Sequence, residues 1–137
     1  MVAKTVKNII TSGKRKTSIA RAIIAKGTGI IKINHLNLNV YSNEIARLKI
    51  MEPLILSEDL AKSVDVKVNV KGGGWQSQAE AARLAIAKAM VEYFKKDSLR
   101  NKFLEYDRNL LVADIRRTEP QKPYRSAARS SRQMSKR

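Results

Sequence analysis

The residues of this chain that could do chemistry are its cations, and they gather at its two ends. The last twenty-two residues carry eight bases against the single acid Glu119. The eight are Arg116, Arg117, Lys122, Arg125, Arg129, Arg132, Lys136 and Arg137. Cations that neutralise phosphates release condensed counterions, so a cluster of this kind is typical of proteins that bind nucleic acid.

The same segment lacks the means to fold alone. Residues 116–137 contain no Leu, Ile, Val, Phe or Trp. Because such a segment cannot bury enough apolar surface to repay the entropy of ordering, we predict an extended basic tail at 116–137 after a globular domain at 1–115. Within the tail, Tyr124 has no core to join and is placed to stack on a base or ribose.

A second basic cluster follows Gly13, where Lys14, Arg15 and Lys16 are consecutive. Glycine lets the backbone approach closely and the cations neutralise charge, which indicates a phosphate clamp. The alternative is a solvated turn. Residues 1–43 carry eight bases and no acid, and this context favours contact with a polyanion.

The turn Lys71-Gly72-Gly73-Gly74 invites comparison with a nucleotide-binding loop. The lysine precedes the glycines, however, and no Gly-Lys-Ser/Thr follows at Walker spacing. A plain sharp turn is the better interpretation as regards nucleotides, while contact between its backbone and RNA phosphate stays open. Trp75 could stack on a base but is more typical of packing at a strand–helix corner.

Charge segregation separates the function classes. The net charge of +16 divides into +8 for residues 1–43, +1 for 44–115 and +7 for 116–137. A membrane surface is a rival partner for polybasic ends, but neither end supplies the apolar anchor it needs. No signal core or span-length apolar run is present, so we expect a cytoplasmic protein that does not bind membranes.

An enzymatic role has little support in the residue types. The chain has no cysteine, and its single histidine, His35, lacks nearby carboxylates for a zinc site. Asp107, Asp114 and Glu119 could serve as acids or bases, but each has arginines close by, so charge pairing explains them more simply. We therefore expect no catalytic residues, no metal and no cofactor.

Periodicity predicts the elements that must position these cations. Strands are expected at residues 17–26 and around Ile31, with a tight turn or bulge at Asn34-His35, and the alternation Val64–Val70 predicts another strand. A first helix is expected from Asn43 to about Met51, limited by Pro53. A second should begin at a capping box formed by Ser77 and Glu80 and reach about Lys95. A third is expected from Asp97 or Ser98 onward. Strands followed by helices indicate an α+β domain with a sheet backed by helices.

Several segments together resemble the universal small-subunit ribosomal protein S9 family. They are Gly13 to Ala22, Gly27 to Asn34, Glu52 to Leu54, Val68 to Gly74, Gln78 to Ala89 and the terminal Ser135 to Arg137. Ala46 to Ile50 and Tyr106 to Pro120 look like the archaeal branch. The resemblance covers nearly the whole chain from Gly13. His35 departs from it, because the family commonly has glycine in this turn.

The resemblance implies a structural role in translation. It implies the fold of the second domain of ribosomal protein S5, with an unusual left-handed crossover, and residence in the small-subunit head beside other head proteins. It also implies that the tail passes through small-subunit rRNA to the peptidyl-site tRNA, where Lys136 and Arg137 would touch phosphates of the anticodon stem-loop.

The expected rRNA contacts combine the clusters with the resemblance. They are Lys14, Arg15, Lys16, Arg21, Lys71, Gly72, Gly73, Gly74, Arg116, Arg117, Lys122, Tyr124, Arg125, Arg129 and Arg132.

The rival functions are a DNA-architectural protein, a small phosphotransfer enzyme and a membrane-surface protein. Relative affinity for duplex DNA and structured rRNA, ATP turnover, and vesicle binding distinguish them.

Overall fold

The computed structural model describes residues 8–135, and within them one mixed sheet is backed by helices. The strands are β1 (Ile9–Arg15), β2 (Ser18–Lys26), β3 (Ile31–Ile33), β4 (Leu36–Asn37) and β5 (Val64–Lys71), in the spatial order β1-β2-β5-β3-β4. The helices are α1 (Glu44–Ser57), α2 (Asp59–Lys62), α3 (Trp75–Phe94) and α4 (Asp97–Tyr106). The predicted α+β class is confirmed.

The sheet combines antiparallel pairs with one parallel pair. β2 pairs antiparallel with both β1 and β5, and β3 pairs antiparallel with β4, but β3 runs parallel to β5. Parallel neighbours cannot be joined by a tight hairpin. The crossover from the β3–β4 hairpin to β5 contains α1 and α2, which carries the chain over one face of the sheet.

Within the described part of the chain, the helices cover one face of the sheet, and the strands alternate accordingly. In β2 and β5 the residues that face the helices are buried: Ser18, Ala20, Ala22, Ile24, Val64, Val66, Val68 and Val70. The long helix α3 packs on β1, β2 and β5 and also against α1. Residues of the opposite parity point away from this core and are mainly exposed. The result is a two-layer domain with an open sheet face.

Small residues let α3 approach the sheet closely. Gly13 faces the helix, and a Cβ added there would meet the Ala81 carbonyl oxygen and come within 2.8 Å of the Ala85 nitrogen. The neighbouring Thr11 hydroxyl donates a hydrogen bond to the Ala85 carbonyl at 2.8 Å. Gly13 therefore serves packing, since only a residue without a side chain fits between β1 and α3.

The predicted turn at Asn34-His35 is confirmed. Both residues have positive φ, 48° and 71°, as a two-residue hairpin turn requires. The Asn34 side chain pins the turn to β5, since its Oδ1 accepts from the Val70 N–H at 2.8 Å and its Nδ2 donates to the Val70 carbonyl at 3.2 Å. His35 thus adopts the left-handed conformation without glycine, as polar residues can.

Two helix boundaries differ from the sequence predictions. α1 continues past Pro53 to Ser57, because Ile50, Pro53 and Ser57 are buried and tertiary packing outweighs the lost backbone hydrogen bond. α3 begins at Trp75, with Gly74 as its N-cap and no side-chain cap. The predicted capping box is wrong, since Glu80 instead pairs with Arg15 and Lys49.

No helix within residues 8–135 is long and apolar enough to cross a bilayer. The same residues contain no group of three or more His, Asp or Glu side chains that could hold a metal ion.

Glycine substitutions test the close contact between the layers. Gly13→Ala should lower the free energy of unfolding by about 1–3 kcal/mol, because the added methyl group overpacks β1 against α3. Gly74→Ala is the matched control, since a Cβ there meets nothing within 4 Å and the change should cost only about 0.5 kcal/mol. Urea unfolding curves measure both, and equal losses would contradict the packing role of Gly13.

Candidate nucleic-acid interface

The sheet face that carries no helices is basic and apolar, and we call it the open face. It consists of Ile10, Ser12 and Lys14 on β1, Ile19, Arg21 and Ile23 on β2, Lys32 on β3, and Lys67, Asn69 and Lys71 on β5. All ten side chains are exposed. A concavity of about 700 Å³ lies over this face, and His35 at the β3–β4 turn also lines it.

The strand register brings predicted site residues together on the open face. Lys14 is opposite Ile19, which is opposite Lys71. Arg21 lies two residues along β2, opposite Asn69. The three predicted cations Lys14, Arg21 and Lys71 therefore share one surface, because strand pairing places neighbours about 5 Å apart.

The three consecutive bases after Gly13 lie in different positions. Lys14 belongs to the open face and Lys16 lies in the β1–β2 turn with φ of 51°, whereas Arg15 points to the helical side. Successive strand residues point to opposite faces, so a strand cannot present all three to one phosphate. An rRNA contact by Arg15 stays a prediction.

Arg15 is the centre of an ion-pair cluster below the sheet. Its Nε contacts Glu80 Oε2 at 2.7 Å, and its Nη1 contacts Asp114 Oδ2 at 3.1 Å. Lys49 of α1 contacts the other Glu80 oxygen at 2.9 Å. Partial burial acts to raise the pKa of Glu80, but hydrogen bonds from Lys49 and Arg15 outweigh it and lower that pKa. The cluster thus joins β1, α1, α3 and the segment that leads into the tail.

Asp114 fixes the start of the basic tail. It accepts hydrogen bonds from the Arg116 side chain, with an Nη2–Oδ2 distance of 2.7 Å, and from the Arg116 N–H at 2.9 Å. These bonds, with a smaller contribution from Arg15, lower the pKa of Asp114 to about 2. Like Arg15, Arg83 forms ion pairs with two acids, Glu52 and Asp107. The expectation that Asp107 and Asp114 serve charge pairing agrees with this geometry.

The described part of the tail is exposed and irregular. Residues 116–135 contain no helix or strand, and all but Ala128 and Ser130 are exposed. The segment turns back on itself, because Glu119 contacts both Lys122 and Arg129, and the Gln133 N–H donates to the Tyr124 carbonyl. Tyr124 has φ of 64° and is 76% exposed. Arg117, Arg125 and Arg132 are exposed as well.

The glycine turn lies beside the β1–β2 turn. The Ser18 hydroxyl donates to the Gly72 carbonyl at 2.8 Å, and a Cβ at Gly73, whose φ is 66°, would meet Ser18 Oγ. Gly73 is therefore explained by turn packing, while Gly74 faces open space. Trp75 is 45% exposed, which fits neither complete packing nor a free stacking platform. Lys136 and Arg137, predicted to contact tRNA, lie outside the described residues.

Sequence reasoning missed two cations of the open face, Lys32 and Lys67. They are opposite each other in the parallel β3–β5 pair. The alternation in β5 already places Lys67, Asn69 and Lys71 on one side. The pairing of β5 with β3 could not be predicted from this alternation, because the connection between them is long.

Comparison with known proteins places this chain in one family. The family model described as "Ribosomal protein S9/S16" matches residues 13–137. The protein named "Small ribosomal subunit protein uS9" from Desulfurococcus amylolyticus is 52% identical over 124 residues, covering 90% of this chain and 89% of that protein. Its namesake from Thermoplasma volcanium is 49% identical over 127 residues, covering 93% and 96%.

The titration of Asp114 tests the cluster at the start of the tail. Its lowered pKa means that the stabilising interactions are complete above the ordinary value of 3.8 and are lost as the pH falls through about 2. Arg116→Gln should move this pKa upward toward 3.8, and by more than Arg15→Gln does, because Arg116 makes the larger contribution. Carboxyl chemical shifts in an NMR pH titration measure it, and an unmoved pKa in Arg116→Gln would refute the assigned contact.

Proposed function

This chain belongs to the ribosomal protein S9/S16 family, and from that premise we propose that it binds small-subunit rRNA and carries its tail to the peptidyl-site tRNA. It is a small-subunit ribosomal protein, and its family is a structural one rather than an enzyme family. Its proposed place is the head of the subunit, beside neighbouring head proteins, in the cytoplasm. Its domain would have the fold of the second domain of ribosomal protein S5, with β3 and β5 joined by a left-handed crossover.

The observation that carries the proposal is the contrast between the two parts of the chain. Leu110 is fully buried, and Asp114 is held by Arg15, but from Ile115 to Ala127 every residue is exposed. After Ile115 the chain carries eight bases and has no apolar core to join. Such a segment gains binding energy from a surrounding polyanion, since each phosphate contact releases counterions.

The proposed contacts divide between domain and tail. Lys14, Arg15, Lys16, Arg21 and Lys71, with the Gly72–Gly74 turn, would bind rRNA from the domain. The tail would bind it through Arg116, Arg117, Lys122, Tyr124, Arg125, Arg129 and Arg132. Lys122 and Arg129 pair with the exposed Glu119 in the free protein, whereas Arg116 pairs with the half-buried Asp114. Exposed pairs contribute little stability, so RNA phosphates can replace Glu119 at small cost. Contacts to phosphate would position the tail without reading base identity.

Removal of the last two residues tests the contact with tRNA. Deleting Lys136 and Arg137 should weaken tRNA binding at the peptidyl site roughly tenfold or more, because a hydrogen bond to a charged group contributes about 1.5–3 kcal/mol. Folding and incorporation into subunits should remain nearly intact. The measurement is tRNA affinity in purified subunits that carry the truncated protein.

A control removes the same charge elsewhere. Lys62 and Lys102 lie on the helical side and pair with Asp59 and Glu58. The double variant Lys62→Gln/Lys102→Gln should leave tRNA affinity unchanged. Unchanged tRNA affinity after the terminal deletion would contradict the proposed tRNA contact. The proposal that the chain binds rRNA would not be affected by that result.

Salt dependence tests whether the tail follows the rRNA backbone. Deleting Arg125 to Arg137 removes five bases, so the slope of log affinity against log salt should fall by about 0.7–0.9 for each phosphate that the tail no longer neutralises. A variant with Arg125, Arg129 and Arg132 changed to lysine keeps the charge and should keep the slope. Filter binding of small-subunit rRNA at several salt concentrations provides the data. An identical slope after deletion would show that the tail does not touch the backbone.

A further inference from the structure

We propose that the open face binds double-helical rRNA, lying across the shallow minor groove of a helical segment. This inference rests on the proposed function as an rRNA-binding protein and adds a specific surface and a specific form of RNA. It is carried by the positions of cations, acids and apolar side chains on the two sides of the sheet.

The open face presents five cations in fixed rows. Lys14 and Lys71 flank Ile19 in one row, Arg21 lies between Ser12 and Asn69 in the next, and the third contains Lys67 and Lys32. Rows on one face of a strand are about 7 Å apart, and neighbouring strands are about 5 Å apart. The cations therefore cover a patch of about 14 Å in each direction, which is broader than one extended strand of RNA requires.

Among the described strand residues, Asp65 is the acid on the same side of the sheet as these cations. None of the five cations makes an ion pair within the described residues, whereas Arg15, Lys49, Arg83 and Lys102 on the helical side are all paired. The Asp65 carboxylate accepts hydrogen bonds from the Ile30 and Thr28 N–H groups, which lower its pKa, and the nearby charge of Lys67 makes a smaller contribution in the same direction. Because the cations of this surface outnumber its acids, they repel one another in the free protein, and bound phosphates would relieve this repulsion.

The apolar residues on the open face indicate a duplex rather than unpaired bases. Sheets that bind single-stranded RNA stack bases on aromatic side chains. Among residues 8–135, the open face has no Phe, Tyr or Trp, and the ring that lines its concavity is the His35 imidazole. Its exposed apolar side chains are Ile10, Ile19 and Ile23. Compact aliphatic groups fit against riboses, which the wide, shallow minor groove of an RNA helix displays beside its phosphates.

The test removes three cations from the open face of the full chain. Arg21→Gln/Lys32→Gln/Lys67→Gln changes only exposed side chains, so circular dichroism should match wild type. The salt slope for small-subunit rRNA should fall by about 2–3. The loss of affinity should be larger for a 16-base-pair RNA duplex than for a single-stranded RNA of equal length. Hydroxyl-radical footprints of the wild-type complex should show protected riboses on both strands across a minor groove.

A charge-matched variant controls for net charge. Lys26→Gln/Lys95→Gln/Lys96→Gln removes three exposed lysines that lie outside the open face, and its slope should stay near wild type. The inference would be overturned if the salt slope fell equally in this control. It would also be overturned if the open-face variant lost as much or more affinity for single-stranded RNA as for the duplex. The inference would also be overturned if the open-face variant bound rRNA as wild type does but failed to enter subunits. That result would mean that the open face contacts a neighbouring protein. In each of these cases wild-type binding to rRNA would leave the proposed function standing, whereas its absence would remove both.

Discussion

The close packing of one alanine-rich helix against one side of the sheet is the constraint from which the rest of the structure follows. Ala81 and Ala85 of α3 lie against Gly13, while Ala20 and Ala22 of β2 complete a layer of small residues. Because this layer fills one side of the strands, the acids that anchor the helices and the C-terminal segment also collect there. The cations of opposite strand parity are left on the open face without partners among the described residues. The separation of charge is therefore a consequence of strand alternation.

The same packing determines where the tail leaves the domain. Arg15 is the last residue of β1 and faces α3, so its guanidinium can contact Glu80 and Asp114 together. Asp114 in turn binds Arg116, the first residue of the tail. The side chains of Arg15 and Asp114 are only 15% and 17% exposed, so their interaction is less screened by solvent than an ordinary surface pair. The direction of the tail at its root is thus set by the folded domain, although the tail itself has no core.

The sequence predicted local features well and relations between distant segments poorly. Strict alternation identified β5, and the change of phase at Asn34-His35 identified the β3–β4 turn, because both patterns are local. Pro53 misled the prediction of α1, since the burial that keeps this helix intact comes from α3. Glu80 was assigned to a capping box, whereas its partners Arg15 and Lys49 are 65 and 31 residues away. Lys32 and Lys67 were missed because a parallel pairing across a long crossover leaves no local signal.

If the domain and the tail bind RNA as proposed, the free-energy cost of ordering differs between them. The backbone that carries the cations of the open face is already ordered in the sheet, so binding would restrict their side chains but not the main chain, and could fix the position of the domain on a rigid helix. The tail must lose conformational freedom when it binds, and its internal contacts through Glu119 are exposed and easily exchanged. It can therefore adapt to an irregular path where a rigid surface cannot. The contacts of Asp114 fix the position at which the tail leaves the domain, and this limits the directions that the tail can take.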